Sequence, residues 1–289
     1  MELLHGYRCS CGKVHDAGFD RMIVGKDAVK MIAGEVGRYG GKRVFLLADE
    51  NTMAAGGERV EATLSDAGIP FEKYVFPAGV EPDEAALGAA VMRYDRSCDL
   101  LIAVGSGVVN DIGKLLAATA GIPYFIVGTA PSMDGYASRT SSVVRDGLKV
   151  SIGHRCADVL IGDTGILSTA PDEMLIAGLG DMIAKYVSIA EWRIANLVLE
   201  EYYCEKVAGA VREALSVCVS NAKGLLAREP GAIEAVFQGL VLSGAAMNYA
   251  GLSRPASGVE HYFSHIRSEE RRVGKECRWR CRSRGSPYH

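Results

Sequence analysis

The stretch LLIAVGSGVVNDIGK, residues 100–114, decides the fold. Its first six residues form an uninterrupted apolar run, the pattern of a strand covered on both faces, as in a parallel sheet. Gly105, Ser106 and Gly107 break the run, and helical spacing follows over 111–120. A glycine turn between a buried strand and a helix lets backbone N–H groups approach a phosphate, though the spacing here is not G-x-G-x-x-G. On these residues alone, pyrophosphate binding and a plain tight strand-to-helix turn both stay open.

Outward from this stretch the same alternation continues. Residues 43–49 (RVFLLAD), 71–76 and 124–128 (YFIVG) read as strands, and 58–67 shows helical spacing. Strands alternating with helices of this length predict βαβ units and a parallel sheet. Residues 141–144 and 148–152 flank Arg145-Asp146-Gly147 and predict a hairpin, because Asp-Gly is a strong turn signal. After 159–167 the texture changes: 171–191, 199–227 and 233–250 are alanine-rich, helically periodic and without strand signal. Pro171 with Asp172 and Glu173 marks a helix start. The expected architecture is therefore α/β, with a Rossmann-like dinucleotide-binding domain over 1–165 and an all-helical domain from 166 to 266.

Composition agrees with this. A length of 289 residues exceeds one typical domain, and 48% hydrophobic with 23% charged residues is ordinary for a globular enzyme. No run approaches 18 consecutive apolar residues, and the first residues lack a basic-then-apolar leader pattern, so a cytoplasmic protein with no membrane partner is expected. Eight scattered cysteines then read as reduced thiols. In CSCGKVH (Cys9, Cys11, His15) the Cys-x-Cys spacing is tighter than a zinc knuckle, and no second Cys/His pair follows at a suitable distance. These three are expected to be ordinary side chains.

Several other residues carry chemistry. Asp49, ending a strand, can accept hydrogen bonds from a ribose diol or cap a helix. The loop GTAPSMDGYAS, residues 128–138, is too polar for core and follows a strand end, where parallel sheets bind ligands; a solvated turn would look similar. Asp181 lies in AGLGDMIAKY (177–186), either on a solvated face or bound to something. His261 and His265, four apart in VEHYFSHI (259–266), share one helix face, as paired metal ligands do, although either alone reads as a satisfied or exposed residue.

In this order, VGSGVVNDIGK, GTAPSMDGYAS, GLGDMIAKY and SGVEHYFSH resemble the glycerol-1-phosphate dehydrogenases, within the superfamily of iron-containing alcohol dehydrogenases, glycerol dehydrogenase and dehydroquinate synthase. The resemblance covers the chain to about Ile266, and the Asp-Gly loop is its discriminating part. It implies an oxidoreductase interconverting sn-glycerol 1-phosphate and dihydroxyacetone phosphate, for glycerophospholipid synthesis, with NAD or NADP and one divalent metal, zinc or nickel. Carried over motif by motif, it places Gly105, Gly107, Val108, Val109, Asn110 and Asp111 at the pyrophosphate and Asp49 at the adenosine ribose. Thr129, Ser132 and Ser138 fall on the nicotinamide side. Asp134, Asp181 and His265 contact the phosphorylated substrate, and Asp181 and His261 ligate the metal. A small-molecule substrate and no nucleic acid are the implied partners, and a homo-oligomer is compatible with it. Three other readings use the same residues: a glycerol or other polyol dehydrogenase, a dehydroquinate-synthase-like lyase, and a non-catalytic nucleotide-binding protein.

The resemblance also implies a second ligating histidine beyond His261, in a His-Gly-Glu-like segment. After His265 the chain has only His289. Residues 267–278, RSEERRVGKECR, resemble a translated sequencing adapter, so 267–289 is expected to be foreign to the gene and its basic charge to carry no function. With two ligands in place of three, weak metal binding and little or no turnover are expected of this chain, with apolar helix faces left uncovered.

Overall fold

The structure, a computed structural model, describes residues 5–261 and 263. His265 and the 267–289 tail lie outside the described residues.

Among the described residues ten strands are present: β1 (Tyr7–Arg8), β2 (Val14–His15), β3 (Arg21–Gly25), β4 (Val44–Asp49), β5 (Phe71–Phe76), β6 (Leu100–Gly105), β7 (Tyr124–Gly128), β8 (Thr140–Arg145), β9 (Leu148–Gly153) and β10 (Val159–Asp163). The α-helices are α1 (Ile32–Arg38), α2 (Glu50–Thr52), α3 (Glu58–Asp66), α4 (Glu84–Arg93), α5 (Gly107–Ala120), α6 (Thr164–Leu167), α7 (Asp172–Leu199), α8 (Glu205–Ser220), α9 (Ala222–Leu226) and α10 (Pro230–Ala250). Six strands form one parallel sheet in the order β3-β10-β7-β6-β4-β5. Every residue of β6, β7 and β10 is buried, which is why these strands read as continuous apolar runs. The chain leaves β4 in one direction to β5, and β6 returns on the other side of β4. A crevice opens at such a switch point, outside the carboxyl ends of the two strands, where open α/β sheets bind ligands.

The expected α/β arrangement with a helical part after it is present. The 140–153 hairpin forms about Asp146 and Gly147, both at positive φ. Two expectations are corrected. The edge strand β3 went unread because its residues are half-exposed and only partly apolar. The segment 199–227 is not one helix: α7 runs on to Leu199, Glu200 turns it off in the left-handed region at φ 56°, and α8 starts only at Glu205. Neither Gly nor Pro marks that stop, so periodicity alone ran through it.

Helix α10 joins the layers. Among the described helices it alone is long and apolar enough by length and composition to cross a bilayer, but 67% of that stretch is buried within the protein. It packs against α8, α7 and α9 on one side, and Phe237 rests against Gly128 and Gly162 of the sheet. A Cβ at either glycine would fall within 2.7 Å of the Phe237 ring. Helix α7 covers the 128–138 loop just as closely, since a Cβ on Gly178 would lie 1.8 Å from the Pro131 carbonyl oxygen. Its opposite side is bare: Ile176, Ile183, Val187, Ile194 and Val198 are all exposed, at alternating spacings of seven and four.

Gly178 and Gly180 make a matched test of this contact. Gly178→Ala forces a side chain into backbone and should destabilise the protein by roughly 1–3 kcal/mol. Gly180, with nothing within 4 Å of its virtual Cβ, should gain up to about 1 kcal/mol on Gly180→Ala from helix propensity. Urea denaturation of both variants reads the difference; equal effects would mean that the helix does not seat on the loop.

Candidate functional site

At the switch point, Gly105 ends β6 and Gly107 begins α5. Gly105 is required by packing, since a Cβ there would lie 2.6 Å from that of Val109. Ser106 occupies the N-cap position of α5 without capping it. Its Oγ instead lies 2.6 Å from Ser132 Oγ in the polar loop. The first-turn amides of a 14-residue helix thus lack a side-chain acceptor, the arrangement that suits a bound anion. Beside them an open cleft of about 520 Å³ is lined by Gly107, Val108 and Asp111, by Ser142 and Lys149 of the hairpin, and by Glu81.

The sequence candidates distribute unevenly here. Val109 and Asn110 are buried. Asn110 Nδ2 donates to Gly135 O at 3.2 Å, and its Oδ1 accepts from the Tyr124 hydroxyl at 3.0 Å. Asp49 caps α2 through Oδ1, which accepts the Thr52 N–H at 2.8 Å in a reciprocal capping box. Thr129 donates its N–H to Gly105 O, bringing the 128–138 loop against the glycine turn. Ser138 Oγ closes a local turn with Thr140.

The same loop carries Asp134 to α7. The Asp134 N–H donates to Asp181 Oδ2 at 2.9 Å. Lys185, one helical turn beyond Asp181 and fully buried, reaches Asp181 Oδ1 and Asp134 Oδ2, each at 2.8 Å. Ser243 of α10 donates to Asp134 Oδ2 at 3.0 Å. Two carboxylates therefore share one ammonium. Burial, then the neighbouring Asp134 charge, pushes the Asp181 carboxyl up from its ordinary range. Burial alone would push Lys185 down, but the Asp134 and Asp181 charges outweigh it and hold the ammonium above its usual pKa. Lys185 is a fixed positive charge. The sequence reading missed it because an Asp and Lys four apart on a helix ordinarily form a solvated pair.

His261 is buried and close enough for its charge to bear on Asp181. Its Nδ1 lies 2.7 Å from Glu260 Oε1, the arrangement by which a carboxylate fixes the tautomer and leaves Nε2 free for a ligand. Glu260 Oε2 is buried without a hydrogen-bond partner. Asp181 and His261 offer an oxygen and a nitrogen of the types that could hold a divalent cation. Among the described residues, these two are not joined by a third Cys, His, Asp or Glu close enough to share the ion.

Comparisons with known proteins identify the family. A family model described as iron-containing alcohol dehydrogenase matches residues 23–171. The chain is 32% identical over 262 residues to a protein of Halalkalibacterium halodurans named glycerol-1-phosphate dehydrogenase (NAD(P)+), covering 89% of this chain and 66% of that protein. A protein of Geobacillus stearothermophilus with the same name is 31% identical over 277 residues, covering 92% and 69%. The chain thus spans about two thirds of the length of the curated relatives it matches. In fold it is similar to an iron-containing alcohol dehydrogenase of Thermococcus thioreducens (TM-score 0.73, 18% identity, 86% of this chain and 70% of that one). It is also similar to glycerol dehydrogenase of Schizosaccharomyces pombe (TM-score 0.66, 19% identity, 87% and 65%).

Two predictions follow from the charges. Lys185→Met leaves two buried carboxylates facing each other and should cost roughly 3–5 kcal/mol in chemical denaturation; a loss below 1 kcal/mol would mean that the triad is wet. His154 sits 2.7 Å from Ser141 Oγ, and burial, then the Lys114 charge, lowers its pKa to about 4. A lowered pKa means that folding favours the neutral ring. Its contribution is present above the unfolded value of about 6.5 and lost as pH falls from there toward 4. Melting temperature should drop across that window, and less so in His154→Asn.

Proposed function

The chain belongs to the iron-containing alcohol dehydrogenase family, and we propose that it carries the cofactor- and substrate-binding faces of an NAD(P)-dependent oxidoreductase interconverting sn-glycerol 1-phosphate and dihydroxyacetone phosphate. One observation carries this reading: the polar loop that packs on the Gly105 turn also delivers Asp134 into the Asp181–Lys185 cluster. A cofactor at the switch point and a substrate at the carboxylates would thus meet across a single loop. The name shared by the relatives supports the substrate class.

In this reading the uncapped start of α5 takes the pyrophosphate through the amides of Gly107, Val108 and Val109. Asp111 lines the same cleft, and Asn110 holds the turn to the loop. Asp49 takes the adenosine ribose with the oxygen that its cap leaves over, which favours NAD because a carboxylate repels a 2′-phosphate. Thr129, Ser132 and Ser138 border the nicotinamide. Asp134, and His265 by resemblance, contact the substrate. Asp181 and His261 hold zinc or nickel, which when bound supplies Lewis-acid stabilisation of charge on the substrate oxygen. Lys185 keeps its proton and positions both carboxylates through its two ion pairs. The nicotinamide carries the hydride; the protein supplies orientation and charge.

NADH fluorescence and thermal shift test this on the 289-residue chain. NADH should bind with or without metal, and Gly107→Val should abolish that binding. With NADH and zinc or nickel present, glycerol 1-phosphate should raise the melting temperature and glycerol should not, and Asp134→Asn should remove the shift. Oxidation of NADH by dihydroxyacetone phosphate is read in parallel. A response to glycerol alone would replace this reading with a polyol dehydrogenase, and failure to bind NADH would sink the dinucleotide assignment.

A further inference from the structure

Four side chains unused by the site above converge where the N-terminal hairpin meets the helical layer. Cys9, Cys11 and His15 come from the β1–β2 hairpin, and Cys204 from the N-cap position of α8. Their ligand atoms all lie within 4.8 Å of one another. The spacing in sequence argued for isolated thiols, but it could not register a partner 189 residues beyond His15.

We propose that Cys9, Cys11, His15 and Cys204 form a Cys3His structural zinc site that staples the hairpin to the helical layer. Three of the six edges of the cluster have the dimensions of such a site, and none exceeds 4.8 Å. Cys9 Sγ to Cys204 Sγ is 3.7 Å, Cys11 Sγ to His15 Nε2 is 3.5 Å, and Cys204 Sγ to His15 Nε2 is 3.4 Å. A tetrahedron with Zn–S of about 2.3 Å and Zn–N of about 2.0–2.1 Å has edges of about 3.8 Å between sulfurs and about 3.5 Å from sulfur to nitrogen.

The surroundings prepare these atoms as ligands. His15 is wholly buried, and its Nδ1 lies 2.9 Å from Tyr249 O. A carbonyl only accepts, so Nδ1 carries the hydrogen and Nε2 turns its lone pair toward the sulfurs, the tautomer of a metal-bound imidazole. Tyr202 Oη lies 3.3 Å from Cys11 Sγ, placed to donate to a thiolate. Three thiolates around a dication carry a net charge of −1. Lys13, two residues from Cys11, holds its ammonium 3.7 Å above the Tyr202 ring and bonds Ala250 O, keeping a positive charge beside the cluster. All four positions of the tetrahedron are protein side chains, which leaves none open for substrate and makes the site structural. Binding releases the thiol protons, and its free energy adds to folding, because the unfolded chain holds Cys9 and Cys204 far apart.

Cobalt reads this site without interference from Asp181 and His261, because only thiolates give sulfur-to-cobalt charge-transfer bands. The reduced 289-residue chain, loaded with Co²⁺ under argon, should show these bands together with the visible bands of tetrahedral cobalt. Zinc should bleach them at about one equivalent per chain. Asp181→Asn with His261→Ala should leave them intact, whereas Cys11→Ser with Cys204→Ser should weaken cobalt binding at this site at least tenfold and remove them. His15→Cys, which keeps four ligands, should shift the bands to those of an all-sulfur site and guards against a misfolded serine variant. Absence of thiolate bands in the reduced wild-type chain would overturn the proposal. So would bands indifferent to Cys204, or a native Cys9–Cys204 disulfide seen by mass spectrometry in place of bound zinc.

Discussion

Lys185, itself out of reach of solvent, is held between two carboxylates from different parts of the chain, of which Asp181 keeps 15% of its side chain exposed. Asp181 reaches it from the preceding turn of α7, and Asp134 from the loop beyond β7. Burying three charged groups is expensive, and such a cluster persists only where every hydrogen-bonding position is met. Here the Asp134 amide and the Ser243 hydroxyl supply the remaining donors. The packing around it follows from that demand. Gly178 lets α7 come down on Pro131, and Gly244 lets α10 approach within van der Waals contact of the Asp134 carbonyl, where a Cβ would lie 2.4 Å from the oxygen. Larger residues at either position would hold the loop away and admit water. The small residues and the ion triad are one design seen from two sides.

The triad also divides the electrostatics of the site. At the sheet, binding potential comes from uncapped backbone amides at the start of α5, a partial positive charge without a side chain to neutralise it. The loop that Thr129 ties to the Gly105 turn runs on from that positive end to a carboxylate pair in excess over its lysine. In the proposed reading, a dinucleotide pyrophosphate would lie on the Thr129 side of the 128–138 loop and a divalent cation on the Asp134 side. The hydrogen bonds that hold this loop, from Thr129 N–H to Gly105 O and from Lys114 Nζ to the Gly135 and Thr140 carbonyls, set the distance between the two.

The sheet was legible because parallel strands buried on both faces leave unbroken apolar runs. β4, β6 and β7 lie on the residues that those runs mark. Legibility failed where a residue's role depends on something distant. β3 is a half-exposed edge strand, whose place is set by its neighbour β10 and not by its own pattern. Glu200 stops α7 in a left-handed conformation that its side chain does nothing to announce. Asp49 was open between ribose and helix cap, and the structure engages one oxygen in the cap while leaving the ribose role a matter for the other. Lys185 and Cys204 are the sharper cases. An Asp–Lys pair four apart looks like surface, and a lone cysteine looks like core filler, until long-range packing puts each beside its partners.

That packing runs through α10, and its composition is explained by the number of surfaces that it must satisfy. Phe237 meets the sheet at Gly128 and Gly162, Ser243 and Gly244 meet the 128–138 loop, and Tyr249 turns its carbonyl to His15 of the hairpin. A helix with one covered face would show polar residues on the other, but α10 is covered by α7, α8 and α9 as well. It has little face to give to water, so it is mostly apolar, as a membrane span would be, for a different reason. Ser243 is polar yet fully buried, and its hydroxyl bonds Asp134. The helix that looks least functional by composition is therefore the one that holds sheet, carboxylate cluster and cysteine cluster in a single frame.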